Sequence, residues 1–268
     1  MSRGRRSRAA TVILTVALGI MGGCATGVGG AGHRELIVLA AASLREPVEA
    51  AARAYETAHV DTIIRLGFGS SAALRTQIEQ GAPADVFLSA DTGNPQRLAD
   101  AGLTDGPPRA FAGNLLALVA PIGDRAGIRS PQDLAFSGIE IVAAGEQVPI
   151  TSYADELVRR LARLPGYPGD FASRYAANIV SREDDVKAVV AKIELGEGDA
   201  AIVYRTDALA SAAVEQVDVP PEADVVATYA GVVLESSMWG DEAGRFFDWL
   251  TGPEGRSILA GAGFTDAP

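Results

Sequence analysis

The 268-residue chain has one cysteine and two histidines, and these small numbers exclude several kinds of site. A single cysteine excludes an internal disulfide. Metal sites need several His, Cys or carboxylate ligands at fixed spacing, and neither His33 nor His59 has a partner at such a spacing. The sequence also has no phosphate loop ending in Lys-Ser/Thr and no Gly-x-Ser-x-Gly nucleophile turn. We therefore predict a protein that is not an enzyme and carries no cofactor.

Basic residues are also scarce, since 23 Lys and Arg face 34 Asp and Glu, for a net charge of −11. An acidic surface repels the phosphate backbone, so we predict no nucleic-acid partner. The same charge does not exclude binding of a small anion, because helix N-termini form anion sites from dipoles and do not need net positive charge.

The longest apolar stretch near the N-terminus, residues 11–21, is short for a membrane span. This stretch follows four arginines, and its last residue is the first of Met21-Gly22-Gly23-Cys24, a segment that resembles the lipobox of bacterial lipoproteins. We predict a lipoprotein signal peptide over 1–24, lipidation at Cys24, and a flexible tether over 25–34 that holds the protein on the extracytoplasmic side of the membrane. Two alternatives remain, a plain secretory signal with an unmodified cysteine and export through the twin-arginine route.

The first part of the body alternates strand and helix patterns. Apolar runs at 36–40, 60–66 and 85–89 predict three strands, and the segments between them predict two helices. A β-α-β-α-β order predicts a parallel sheet with right-handed crossovers. Ligands bind beyond the carboxyl ends of such strands, and Ser43 and Ser71 both fall at that edge.

Each of these serines also has a purely structural interpretation. Ser43 stands three residues before Glu46, which is the spacing of a capping box at a helix start. Ser71 lies at the end of the small-residue segment Gly67-Phe68-Gly69-Ser70-Ser71, where it fits an ordinary loop serine. The pattern alone leaves both interpretations open.

The second part of the body repeats the α/β alternation. Helices are predicted near 153–164 and 185–195, and a strand at 199–204. Extended runs at 115–121 and 225–235 would cross between two lobes. We predict an α/β fold with lobe 1 formed by 35–117 and 229–268, lobe 2 formed by 118–228, and a ligand cleft between them.

Several segments, taken in order, resemble the molybdate-binding proteins of bacterial ABC transporters. The resemblance extends over about residues 35–265, and the terminal Gly263-Phe264 also fits. It is carried by the following segments: 40–44 (AAASL), 69–74 (GSSAAL), 81–91 (GAPADVFLSAD), 113–121 (GNLLALVAP), 184–187 (DDVK) and 198–208 (GDAAIVYRTDA).

This resemblance implies a periplasmic-binding-protein type II fold, in which two α/β lobes with mainly parallel sheets close on the ligand. It implies capture of molybdate, and of tungstate, for delivery to an ABC permease by a monomer. Molybdenum would be bound as its oxyanion, without a direct bond between protein and metal. The implied ligand-binding residues are two serines, two backbone N–H groups at helix starts and one tyrosine hydroxyl: Ser43, Ser71, Ile150, Val186 and Tyr204. At Ile150 the sequence departs from the family, which often has small residues after the proline.

Two other functions stay open on the sequence alone. One is a binding protein of the same architecture for another small oxyanion, such as sulfate or phosphate, or for ferric iron. The other is an enzyme or a surface-adhesion lipoprotein on the same fold.

Overall fold

The computed structural model describes residues 33–123 and 126–268. The predicted signal peptide, Cys24 and most of the predicted tether lie outside these residues. The described part of the chain contains nine strands: β1 (Arg34–Ala41), β2 (Thr62–Gly69), β3 (Val86–Ser89), β4 (Arg109–Pro121), β5 (Ile141–Ala144), β6 (Ile179–Glu183), β7 (Ala201–Tyr204), β8 (Val214–Val217) and β9 (Val226–Val233).

The α-helices of the same residues flank these strands. In chain order they are α1 (Arg45–Ala58), α2 (Ser71–Glu79), α3 (Gly93–Asp100), α4 (Pro149–Leu161), α5 (Phe171–Ala177), α6 (Val186–Glu194), α7 (Arg205–Ala210), α8 (Gly240–Leu250) and α9 (Pro253–Gly261). None of the helices in this part of the chain is long and apolar enough to cross a membrane.

The first three strands form the predicted parallel unit. β1 lies between β2 and β3 and pairs with both in parallel, with Ala41 opposite Gly69 and Ala40 opposite Leu88. Their carboxyl ends therefore meet at one edge of the sheet. Burial on both faces explains why most of each strand is apolar, over 36–41 in β1 and 86–88 in β3.

The long strand β4 joins two parts of the main sheet, whose order is β2-β1-β3-β9-β4-β7 with β8 also on β4. Arg109–Leu115 pairs with β9, whereas Leu116–Pro121 pairs with β7 and β8, and all of these pairs are antiparallel. β5 and β6 form a separate parallel pair. This change of partners agrees with a crossing strand near residue 115. The exact lobe limits, 35–117 with 229–268 and 118–228, stay a prediction.

A buried carboxylate, Glu242 of α8, ties several elements of the first part of the fold together. Its side chain is 3% exposed and accepts hydrogen bonds from Arg34 at 2.9 Å, Tyr55 at 2.8 Å, Thr62 at 3.0 Å and Arg245 at 2.6 Å. Burial alone would raise the pKa of Glu242, but these donors outweigh it and lower the pKa to about 2. The carboxylate therefore fixes the first residues of β1 and β2 against α1 and α8.

Candidate functional site

Ser43 lies in a single 3₁₀ turn, Ala42–Leu44, directly after β1. The predicted capping box is wrong, because α1 begins only at Arg45 and no side chain caps it. Ser43 is buried, and its Oγ lies 2.9 Å from the hydroxyl of Tyr229 in β9. Glu46 instead pairs with Lys187 of α6 at 2.9 Å. Ser43 is thus held by a contact across the sheet and not by its own helix.

Ser71 is the first residue of α2, and Ser70 before it is the N-cap, accepting a hydrogen bond from the amide of Ala73 at 3.3 Å. Ser71 is therefore a helix residue and not an ordinary loop serine. The Oγ of the buried Ser71 accepts from the amide of Ala90, beyond β3, at 3.0 Å. That contact occupies a lone pair of Ser71 and leaves its proton to donate elsewhere.

Ile150 and Val186 are at the first turns of two helices, as expected. α4 begins at Pro149, four residues earlier than predicted, so Ile150 is its second residue. Val186 is the first residue of α6, whose N-cap Asp185 accepts from the amide of Ala188 at 3.0 Å. Amides in the first turn have no partner within their own helix, so both residues have an N–H group to offer.

Tyr204 ends β7 and is 1% exposed. Its hydroxyl has no hydrogen-bond partner among the described residues, although it is fully buried. Burial, reinforced by the neighbouring Tyr229 and Tyr153, raises the pKa of Tyr204 well above its usual value, so the group is a neutral donor. The rings of Tyr229 and Tyr153 lie 5.5 and 6.5 Å from its ring and fix its position. A buried hydroxyl without a partner is costly, and a ligand that accepts from it removes the cost.

Four of the five predicted site residues line one small cavity. Its lining consists of strand ends and helix starts: Ala41, Ala42, Ser43, Gly69, Ser70, Ser71, Ala90, Val148, Pro149, Asp185, Val186 and Tyr204. Ile150 does not belong to this lining. Its side chain is 2% exposed and belongs to the hydrophobic core.

The electrostatic character of the cavity comes from helix starts. The first turns of α2, α4 and α6 contribute lining residues to it. Each helix N-terminus carries a partial positive charge, so three such ends favour an anion. The nearby ammonium of Lys187 is engaged by Glu46 at 2.9 Å and by the buried Asp207 at 3.1 Å, so the attraction does not depend on an unpaired cation.

A wider groove adjoins the cavity and shares Gly69, Ser70, Val148 and Asp185 with its lining. The walls of the groove are α2 on one side and the loops before α4 and α6 on the other. Because the two linings share residues, the groove lies directly beside the cavity.

Sequence reasoning missed two buried residues next to the cavity, Asn114 and Tyr229. Asn114 stands in one of the segments of the family resemblance, and this was the only available signal for it. Tyr229 carried no signal, because a tyrosine in an apolar strand is typical of core packing. Their contacts depend on the pairing of β4 with β9, which joins residues far apart in the sequence.

Other potential centres in the described residues are explained structurally. His59 follows α1, stacks on Tyr55 at 3.9 Å, and has its Nδ1 3.0 Å from the carbonyl of that residue. Within 33–123 and 126–268 there is no group of three or more His, Cys, Asp or Glu that would hold a metal ion.

Comparison with known proteins gives a consistent result. The family profile described as bacterial extracellular solute-binding protein matches residues 36–265. A relative from Mycobacterium bovis, the molybdate-binding protein ModA, is 36% identical over 234 residues, covering 87% of this chain and 85% of the relative.

Solved structures show the same fold. The periplasmic molybdate-binding protein of Azotobacter vinelandii superposes with a TM-score of 0.72 at 22% identity, over 87% of this chain and 100% of that one. The sulfate-binding protein SubI of Mycobacterium tuberculosis superposes with a TM-score of 0.74 at 20% identity, over 87% of each chain. These likenesses confirm the predicted fold class, the two-lobe architecture of periplasmic binding proteins.

Proposed function

Because this chain belongs to the family of bacterial extracellular solute-binding proteins, we infer that it captures molybdate, and with it tungstate, for an ABC importer. The observation that carries this inference is the buried hydroxyl of Tyr204, which has no partner within the described part of the chain and belongs to a residue in the lining of a cavity made of helix starts and serines. The 36% identity to a molybdate-binding protein over most of both chains supports the choice of anion.

The donors around the cavity are sufficient for a desolvated dianion. Ser43 and Ser71 each offer a hydroxyl and a backbone N–H, Tyr204 offers a hydroxyl, and Ile150 and Val186 each offer an amide. At roughly 1.5–3 kcal/mol for each hydrogen bond to a charged group, about seven donors supply on the order of 10–20 kcal/mol. Desolvation and ordering of the protein consume part of this energy, which leaves affinities in the micromolar to nanomolar range.

Neutral donors also favour a fully deprotonated oxyanion. The groups offered to the ligand are N–H and O–H donors, and the carboxylate in the cavity lining, Asp185, already serves as the N-cap of α6. A fully deprotonated anion therefore suits these groups better than a protonated anion such as hydrogen phosphate. Sulfate has the same charge and shape as molybdate and differs from it only in being smaller, so the fit of its size is the only basis for rejecting it. Sulfate is for that reason the second candidate ligand, and a sulfate-binding protein shares the fold.

The site is suited to binding and not to catalysis. The Oγ of Ser43 contacts a tyrosine and that of Ser71 contacts a backbone amide, so neither serine is paired with a general base. Burial keeps Tyr204 and Tyr229 protonated by raising the pKa of both hydroxyls. Neither serine is therefore activated as a nucleophile.

The cellular setting of this function is part of the proposal. The protein is exported, anchored by lipid at Cys24, and acts as a monomer that docks on a membrane permease. Its membership in an extracellular family supports export. Metabolic labelling with a fatty acid tests the anchor, since Cys24→Ser should abolish the label.

Calorimetric titration with molybdate, tungstate, sulfate and phosphate tests the ligand. The expected result is tight one-to-one binding of the first two and weak or no binding of the others. Ser71→Ala should weaken molybdate binding, because it removes a hydroxyl donor, whereas Ser173→Ala on the exposed side of α5 should leave binding unchanged. Absence of heat with both metal oxyanions would contradict the proposal, and tight binding of sulfate alone would replace it with the second candidate.

A further inference from the structure

A row of buried polar side chains lies behind Ser43. The hydroxyl of Tyr229 is 2.9 Å from Ser43 Oγ and 3.4 Å from the amide nitrogen of Asn114. The same nitrogen donates to Thr206 Oγ1 at 2.8 Å. Asn114 and Tyr229 are fully shielded from solvent, and Ser43 is 3% exposed. The row connects the crossing strand β4 with the cavity lining through β9.

Two directions are open to the contact between Ser43 and Tyr229, since either oxygen can be the donor. The Asn114 nitrogen has two hydrogens and donates to both Thr206 and Tyr229. When Tyr229 donates its own proton to Ser43 Oγ, the hydrogen bonds from Asn114 through Tyr229 to Ser43 run the same way. The proton of Ser43 then does not point at Tyr229 and can point into the cavity, whose lining includes Ser43.

We propose that Tyr229, oriented by Asn114, is a positioning residue that holds the Ser43 hydroxyl as an obligatory donor to the bound oxyanion. This inference rests on the proposed function and deepens it, because it assigns part of the ligand selectivity to residues that do not line the cavity. A chain of hydrogen bonds that all point the same way also strengthens its last member by polarisation. The row therefore favours an anion that only accepts over one that carries a proton.

The matched variants for the test are Tyr229→Phe, Ser43→Ala and the double substitution. Tyr229→Phe removes one hydroxyl and keeps the ring that packs on Phe111 and Phe264. Freed from Tyr229, the Ser43 hydroxyl turns among several orientations, so we expect molybdate affinity to fall about 3- to 10-fold, as for one hydrogen bond. The control is Tyr167→Phe, which removes a buried hydroxyl that has no partner among the described residues, at a residue that does not line the cavity.

The full-length chain and its variants are titrated with molybdate, sulfate and phosphate, and thermal melts without ligand check their folding. If Tyr229 acts through Ser43, the double variant binds molybdate with the same affinity as Ser43→Ala. Tyr229→Phe should also lower the preference for molybdate over phosphate and leave the preference for molybdate over sulfate unchanged. Equal or tighter molybdate binding by Tyr229→Phe overturns the inference, and so does an effect that adds fully to that of Ser43→Ala. A wild-type chain that binds no oxyanion refutes the proposed function itself, which is distinct from failure of the positioning role.

Discussion

The substitution Tyr204→Phe should stabilise the ligand-free protein and weaken ligand binding. The buried hydroxyl of Tyr204 has no partner among the described residues, and leaving a buried polar group unpaired costs about 1–3 kcal/mol. Phenylalanine removes that cost and keeps the ring between Tyr153 and Tyr229. For a domain of this size, each kcal/mol corresponds to about 2–4 °C in the melting temperature. We therefore expect a higher melting temperature without ligand.

With molybdate bound, the effect of Tyr204→Phe on stability relative to the wild type should change from stabilising to destabilising. A hydrogen bond to a charged group contributes about 1.5–3 kcal/mol, so its loss raises the dissociation constant roughly 10- to 150-fold. At saturating molybdate the wild type gains correspondingly more stability than the variant. Thermal melts across a molybdate titration, together with calorimetry, measure both effects on the same samples.

The control for this prediction is Tyr167→Phe. Tyr167 lies between α4 and α5 in the chain and does not line the cavity. Like that of Tyr204, its hydroxyl is buried without a partner among the described residues. It should raise the melting temperature and leave the dissociation constant unchanged. A Tyr204→Phe protein that melts lower without ligand and binds molybdate as tightly as the wild type would refute the reasoning, since its hydroxyl would then be neither unpaired nor directed at the ligand.

Three further predictions concern stability. The pKa of Glu242 is lowered to about 2 in the folded protein. Its contribution to the free energy of unfolding is therefore fully present above its usual pKa and is lost as the pH falls toward 2. Glu242→Gln should cost on the order of 3 kcal/mol at pH 7 and much less at pH 3, as measured by urea denaturation. Burial raises the pKa of Asp207 to about 6 despite Lys187, so Lys187→Met should raise it further and cost about 3 kcal/mol at pH 7. The cost should be smaller at pH 5, where Asp207 of the folded protein is mostly protonated with or without Lys187. Gly244 lies in α8 with open space around the position of a Cβ, so Gly244→Ala should stabilise the protein by about 0.5–1 kcal/mol. Gly255→Ala should destabilise it, because the added Cβ would lie 2.1 Å from a backbone oxygen of α8. Chemical denaturation of both variants measures the two effects.

Local patterns predicted the parallel part of the fold well. The apolar run at 36–40 lies within β1, and the β-α-β-α-β order gave the parallel pairing of β1 with β2 and β3. This success has a physical cause, because strands buried on both faces must be apolar throughout and right-handed crossovers leave few arrangements. The same logic brought Ser43 and Ser71 to one edge of the sheet.

Local patterns failed at the starts of two helices. The spacing of Ser43 and Glu46 predicted a capping box, but the chain forms a 3₁₀ turn there, and Glu46 turns to Lys187 instead. The start of α4 was placed four residues late, although Pro149 at its first position is a typical signal for a helix start. To avoid the first error one would have to know that a lysine distant in the sequence lies beside Glu46, whereas the second error was avoidable from the sequence.

The sequence by itself determined the β-α-β-α-β order of the first part of the fold, the exclusion of an internal disulfide, and the identity of the groups offered to a ligand, because these depend on composition and on contacts between near neighbours. Only the tertiary structure decided that Tyr204 would be buried without a partner among the described residues, that Ile150 would turn its side chain into the core, and that Tyr229 would reach Ser43. Each of these outcomes depends on β4 and β9 pairing with strands distant in the sequence. The energy of such a contact comes from burial and geometry that no local pattern encodes.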